Sequence, residues 1–128
     1  MPALHSFDYS IIRLVPRVDR GECVNVGIVL FCRTAHFLGA RLEPDWVRIQ
    51  ALAAGQVDAD EVQRQLDYIT QVCAGDPAAG PMAELSQSER FHYLVAPRST
   101  ILQPSAMHCG LCDEPEVALE HLVACMVR

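Results

Sequence analysis

The run "HCGLC", residues 108–112, sets one imidazole and two thiols within five positions, and two chemistries use such a set. In thiol–disulfide exchange, a cysteine just before a helix has its pKa lowered by the helix dipole, and the acidic, proline-containing stretch after Cys112 reads as such a start. In a structural zinc site, four nitrogen and sulfur ligands close a tetrahedron, normally as two short-spaced pairs. Neither pattern is complete. A redox pair of this kind follows an early strand of a βαβ unit, whereas this one stands near the end of the chain, and no second Cys-x-x-Cys or His-x-x-x-His is present to complete a metal site. Cys109 and Cys112 therefore read as small, half-buried residues flanking a tight turn at Gly110, and we expect no metal and no cofactor.

A second group lies just upstream in "ERFHYLVAPRSTILQ". Arg90 and Arg98 offer planar forks that suit a carboxylate or phosphate, and Ser99, Thr100 and Gln103 add neutral hydrogen-bonding groups. The same residues also fit a plainer arrangement: Arg90 paired with a surface acid, Pro97 to Thr100 in a turn, and Gln103 on an exposed edge. Residue types alone leave both open. The hydroxyls of Ser99 and Thr100 would also suit phosphorylation.

Other reactive groups are scattered. The chain has five histidines, but no GxSxG, HExxH, P-loop or dinucleotide-binding glycine pattern. All ten basic residues are arginine, so a Schiff-base lysine and the lysine of a phosphate loop are excluded. The net charge of −6 would repel a phosphate backbone, and nucleic-acid binding is not expected. Arg13, Arg17 and Arg20 form a local basic patch, read as a solvated face. No apolar run is long enough for a membrane span, and "MPALHSFDYS" lacks the features of a signal peptide. A cytoplasmic protein with reduced thiols is expected.

The elements that would carry these groups follow from periodicity. The 128 residues, 51% of them hydrophobic, suit one domain spanning 1–128. Residues 9–32 read as a hairpin turning at Asp19-Arg20-Gly21, its second strand buried on both faces, with Gly27 marking a close approach. "AHFLGARLE" suggests a third strand. Helices are expected over about 45–54, closing at Gly55, and over 59–74, with Asp58 and Glu61 at capping-box spacing and Gly75 at the end. "GDPAAGP" reads as a loop. Ser86 and Glu89 cap a short helix that Pro97 ends, with a strand as the alternative there; "TILQPSAMH" reads as a strand at an edge or with a bulge, because Pro104 cannot donate to a ladder, and a last helix starts at Asp113.

Three segments in this order, "YSIIRLVPRVDRGECVNVGIVLFC", "SERFHYLVAPRSTILQPSAMHCGL" and "DEPEVALEHLVACMV", resemble the bacterial domain-of-unknown-function family numbered 3037 across nearly the whole chain. The resemblance implies an uncharacterised single-domain family whose members partner HipA-like kinases. It marks Asn25, Arg90, Arg98, Ser99, Thr100, Gln103 and His108 as recurrent polar positions and Gly27 and Gly110 as backbone positions. It also implies that Cys109 is variable, which makes the cysteine pair incidental.

The combined expectation is an α+β fold with a mainly antiparallel sheet of three to five strands and helices packed largely on one face. The expected function is a non-catalytic protein-interaction or ligand-sensing module, with a HipA-like kinase as the implied partner. Arg90, Arg98 and His108 would line a polar patch that takes an anionic group, with Ser99, Thr100 and Gln103 beside it. The alternative is a small enzyme using His108 as general acid or base and Arg98 to hold an anion. Oligomeric state is not set by these residues.

Overall fold

Strand β1 (His5–Leu14) is hydrogen-bonded along both edges, and the sheet is assembled around it. On one side it pairs with β2 (Val24–Cys32), which in turn pairs with β3 (Phe37–Leu42). On the other side β4 (Leu102–Pro104) pairs with Ile12 to Leu14 and β5 (His108–Cys112) with His5 to Tyr9, so these two short strands share one edge. All pairings are antiparallel, giving five strands among the described residues. The computed structural model describes residues 4–98 and 100–128.

One irregularity in β2 sets which side chain faces which layer. Ile12 is opposite Gly27 and Arg13 is opposite Asn25, which leaves Val26 as an extra residue. Such a bulge reverses the alternation beyond it. Val24 and Val26 therefore join Val29 and Phe31 in one core, while Ile28, Leu30 and Cys32 enter the core on the opposite face. The reversal also turns Asn25 towards that second face. Gly27 is required at the bulge: a Cβ there would run into the Leu42 side chain and lie 2.7 Å from the Arg41 carbonyl oxygen, which is fixed in the ladder.

Helices cover both faces unequally. α1 (Trp46–Ala53), α2 (Ala59–Ala74), a 3-10 helix (Pro77–Glu84) and α3 (Gln87–Val95) lie on the first face, which they close with Ile49, Ala53, Val62, Leu66, Val72, Phe91 and Leu94. α4 (Pro115–Met126) alone covers the second, burying Leu119 and Val123 against Phe7, Ile28 and Leu30. This is the expected α+β arrangement, with the helices largely on one side.

Most helix ends follow the capping signals. Asp58 accepts from the Asp60 and Glu61 amides, Gly75 takes the left-handed conformation at φ 68°, and Ser86 and Glu89 form a reciprocal capping box. Four local expectations need correction. α1 ends at Ala54, itself left-handed at φ 50°, one residue before Gly55. Asp58 caps without a reciprocal bond from Glu61, whose carboxylate instead accepts from Arg64 and Gln65. The loop at residues 77–84 is wound as 3-10 turns begun by the Asp76 side chain, which accepts from the Ala78 amide. α4 begins after Glu114 with no side-chain cap, so Asp113 does not cap it.

The end of α4 is tied down by groups from elsewhere. Asn25 Nδ2 donates to the Met126 carbonyl at 2.9 Å and Arg48 Nη1 to the Val127 carbonyl at 3.2 Å, which satisfies acceptors a helix end leaves open. Arg128 bridges Glu43 and Glu120, and Glu120 also pairs with Arg41. In urea titrations, Asn25→Ala is expected to lower stability by about 1 kcal/mol, the typical net worth of one such bond, and Gly27→Ala by about 2 kcal/mol through overpacking against backbone. An unchanged midpoint for Gly27→Ala would show that β2 and β3 separate freely at this point.

Candidate functional site

A half-open cleft of about 400 Å³ lies where α2 faces β4 across the end of α3. Its floor is apolar, made by Ile12 of β1, Ile69 of α2, Leu94 of α3 and Leu102 of β4. Glu61, Arg64, Gln65 and Tyr68 come down one wall from α2 at helical spacing, while Arg98, Thr100 and Gln103 rim the other side. An apolar base with a few polar groups at its border is the usual build of a recognition pocket, and the volume is within the common range for one.

Arg98 is placed by the way α3 stops. Ala96 is extended, Pro97 cannot continue the helix, and the chain turns so that the guanidinium folds back over the last turn. Its Nη2 donates to the Tyr93 carbonyl at 2.6 Å, its Nε to the Ala96 carbonyl at 3.4 Å, and its Cζ sits 5.3 Å from the centre of the Tyr93 ring. The side chain is thus preorganised yet exposed, and among the described residues no carboxylate pairs with it. Across the cleft Arg64 pairs with Glu61. The Tyr68 hydroxyl is held above the ordinary phenol range, first by the neighbouring Tyr93 hydroxyl and then by burial, so it stays a neutral hydrogen-bonding group. Thr100 Oγ1 donates to the Leu102 carbonyl at 2.7 Å and Gln103 Nε2 to the Thr100 carbonyl at 2.8 Å, which firms the rim. Ser99 lies outside the described residues.

The other candidates are elsewhere, and the convergent patch of Arg90, Arg98 and His108 is corrected accordingly. Arg90 is 9% exposed and closes the C-terminus of α2. Its Nη1 donates to the Val72 and Cys73 carbonyls at 2.7 and 2.9 Å and its Nε to the Leu85 carbonyl at 3.0 Å. A cation among the last carbonyls of a helix is well placed for the dipole, so this arginine is a brace, neither a ligand fork nor the partner of a surface acid. His108 stands on β5 with its ring 5.3 Å from that of Tyr9, on the face that carries α4. The cleft opens on the opposite face. His108 and Arg98 are therefore not brought together as an acid–base and anion-binding pair.

Gly110 is not a turn. It sits in the middle of β5 under the ring of Phe7, where a Cβ would come within 2.7 Å of Phe7 Cζ. Cys109 and Cys112 are then three strand positions apart, on opposite faces and roughly 10 Å from one another, beyond the reach of a disulfide. Cys109 is exposed and Cys112 buried, and burial is the main cause that pushes the Cys112 thiol up. Burial raises the Cys73 thiol further, to about 12. Among the described residues no three His, Cys, Asp or Glu side chains gather as a metal site. In the basic patch, Arg17 pairs with Asp19 and Arg20 with Glu22, so much of its charge is locally neutralised.

Tyr68, Ile69, Arg64 and Tyr93 were not anticipated in the site. Arg64, Gln65, Tyr68 and Ile69 do share one face of α2 at i, i+1, i+4 and i+5 beside the buried stripe, but a helical pattern does not show which strand lies opposite.

A family model described as "Protein of unknown function (DUF3037)" matches residues 9–127. The chain belongs to this family. No curated protein and no solved structure matches it. The match takes in Arg90, Arg98, the cleft and β5 of the DUF3037 chain together. No helix among the described residues is long and apolar enough to cross a membrane.

Two measurements separate the roles assigned here. Under native conditions a thiol reagent is expected to modify Cys23, Cys109 and Cys125 quickly and Cys32, Cys73 and Cys112 only on unfolding; rapid native labelling of Cys112 would contradict its buried placement in β5. Arg90→Ala is expected to lose about 3 kcal/mol because three carbonyl acceptors lose a charged donor, while Arg98→Ala loses under about 1 kcal/mol. Equal losses in chemical denaturation would show that the two arginines do the same work.

Proposed function

We propose that this DUF3037 chain is a non-catalytic recognition module, and that the cleft between α2, α3 and β4 takes a partner segment bearing an apolar side chain beside a carboxylate or phosphate. The observation that carries the reading is Arg98: an exposed, preorganised guanidinium, without a carboxylate partner among the described residues, at the rim of an apolar-floored cleft. An apolar group of the partner would cover Ile69, Leu94 and Leu102, and its anion would take the outward-facing edge of the Arg98 fork. Thr100 and Gln103 firm the rim by bonding within their own loop, which keeps the entrance in shape. The separation of His108 from Arg98 weighs against the enzyme reading. The partner implied by the family resemblance is a HipA-like kinase, and we take it as the first protein to test.

The experiment is affinity purification from the native cell at moderate salt, with wild-type chain and a folded Arg98→Glu variant as parallel baits. A kinase-like protein in near-stoichiometric amount with the wild type, and at least about tenfold less with Arg98→Glu, is expected from the loss of one charge-assisted contact plus the new repulsion. Equal recovery by the two baits would remove Arg98 from the interface. A dominant partner that is no kinase, yet is lost with Arg98→Glu, would keep the cleft and discard the kinase.

A further inference from the structure

The three outer edges of the sheet are not equally protected. At β4 the proline at 104 removes a donor, and the Thr100 hydroxyl occupies the Leu102 carbonyl. At β3, helices pack from both faces and Arg41 and Glu43 put charge along the border. Among the described residues nothing comparable shields β5. Odd-numbered residues of β1 turn their backbone groups towards this side of the sheet, as Ile11 and Val15 do in their bonds to Ser105 and Ile101. His108, Gly110 and Cys112 therefore face β1, and the amides and carbonyls of Cys109 and Leu111 face outward.

Apolar exposure is concentrated at the same place. Eight large apolar side chains are exposed among the described residues, and Leu4, Met107, Leu111 and Val117 lie around β5. Half of the set thus stands on or beside one short strand, with Leu4 and Met107 at its two ends. Leu111 and Val117 also line a shallow groove between this edge and α4.

We propose that β5 pairs edge to edge with β5 of a second copy of this chain, antiparallel about a two-fold axis at Gly110. The edge is self-complementary in that register. Cys109 of one copy meets Leu111 of the other, and the outward groups of these two residues make four backbone hydrogen bonds across the axis. The sheet continues through the dimer, and each Leu111 is covered by the opposing strand. Polar groups fit as well: the antiparallel register brings the His108 end of one strand, whose imidazole can donate a hydrogen bond, towards the carboxylates of Asp113 and Glu114 at the end of the other. A different protein's strand could meet the same backbone groups but would not be held to this symmetric match. A short edge buries little area, so the dimer is weak and its formation depends on concentration.

The test is sedimentation velocity of the full chain over a concentration series reaching the millimolar range. Wild type is expected to shift from the 14.1 kDa monomer towards twice that mass. Leu111→Lys, which charges the edge, and Cys109→Pro, which removes an outward amide, should each weaken dimerisation by about tenfold or more while the circular dichroism spectrum stays native. Register is read from Leu111→Cys: under mild oxidation it should cross-link to Cys109 of the other copy as a covalent dimer, and adding Cys109→Ser should abolish the cross-link. A monomer at every concentration would overturn the proposal. So would a dimer indifferent to both edge variants, or an edge filled only by the strand of another protein.

Discussion

The extra residue at Val26 is the constraint from which the two layers follow. Without it, β2 would keep one alternation throughout, and Val24 and Val26 would point to the α4 side together with Ile28 and Leu30. With it, both valines supply the surface on which α1 packs, and Asn25 turns to the other face to close the end of α4. Gly27 makes the arrangement possible because β3 crosses too near for a side chain at that point. One bulge thus couples helices on opposite faces of the sheet.

The cleft shows how position decides the work of a side chain. Arg90 and Arg98 are eight residues apart on the same helix and its exit. Arg90 lies inside, spent on two carbonyls at the end of α2 and on the Leu85 carbonyl, and its removal would leave acceptors unsatisfied. Arg98 lies outside, held by two carbonyls of its own turn and one ring, with donors to spare. In a chain of net charge −6, six of the ten arginines pair with acids, which makes an exposed one at a cleft without a carboxylate partner among the described residues the more informative.

Much of this was legible in the sequence where local rules act. The caps at Asp58, Ser86 and Gly75 named their helices, Pro104 named an edge strand, and Gly27 named a close approach. Membership in DUF3037 was legible from three segments in order. What could not be read was long-range pairing. Gly110 looked like a turn because a glycine between small residues suits one, yet Phe7, distant in sequence, lies over it and fixes a strand. That single difference puts Cys109 and Cys112 on opposite faces and removes the chemistry their spacing suggested. Arg90 looked like a ligand fork for the same reason: its type was visible, but two of the three carbonyls it satisfies come from the far end of another helix.

The most direct measurement is amide hydrogen exchange on this chain, free and with its purified partner bound. Slower exchange in the complex over α2 from Glu61 to Ile69 and over the stretch from Tyr93 to Gln103, with α1 unchanged, is the expected result. A complex that leaves both of these stretches as they are in the free chain, and protects another surface instead, would overturn the assignment of the cleft.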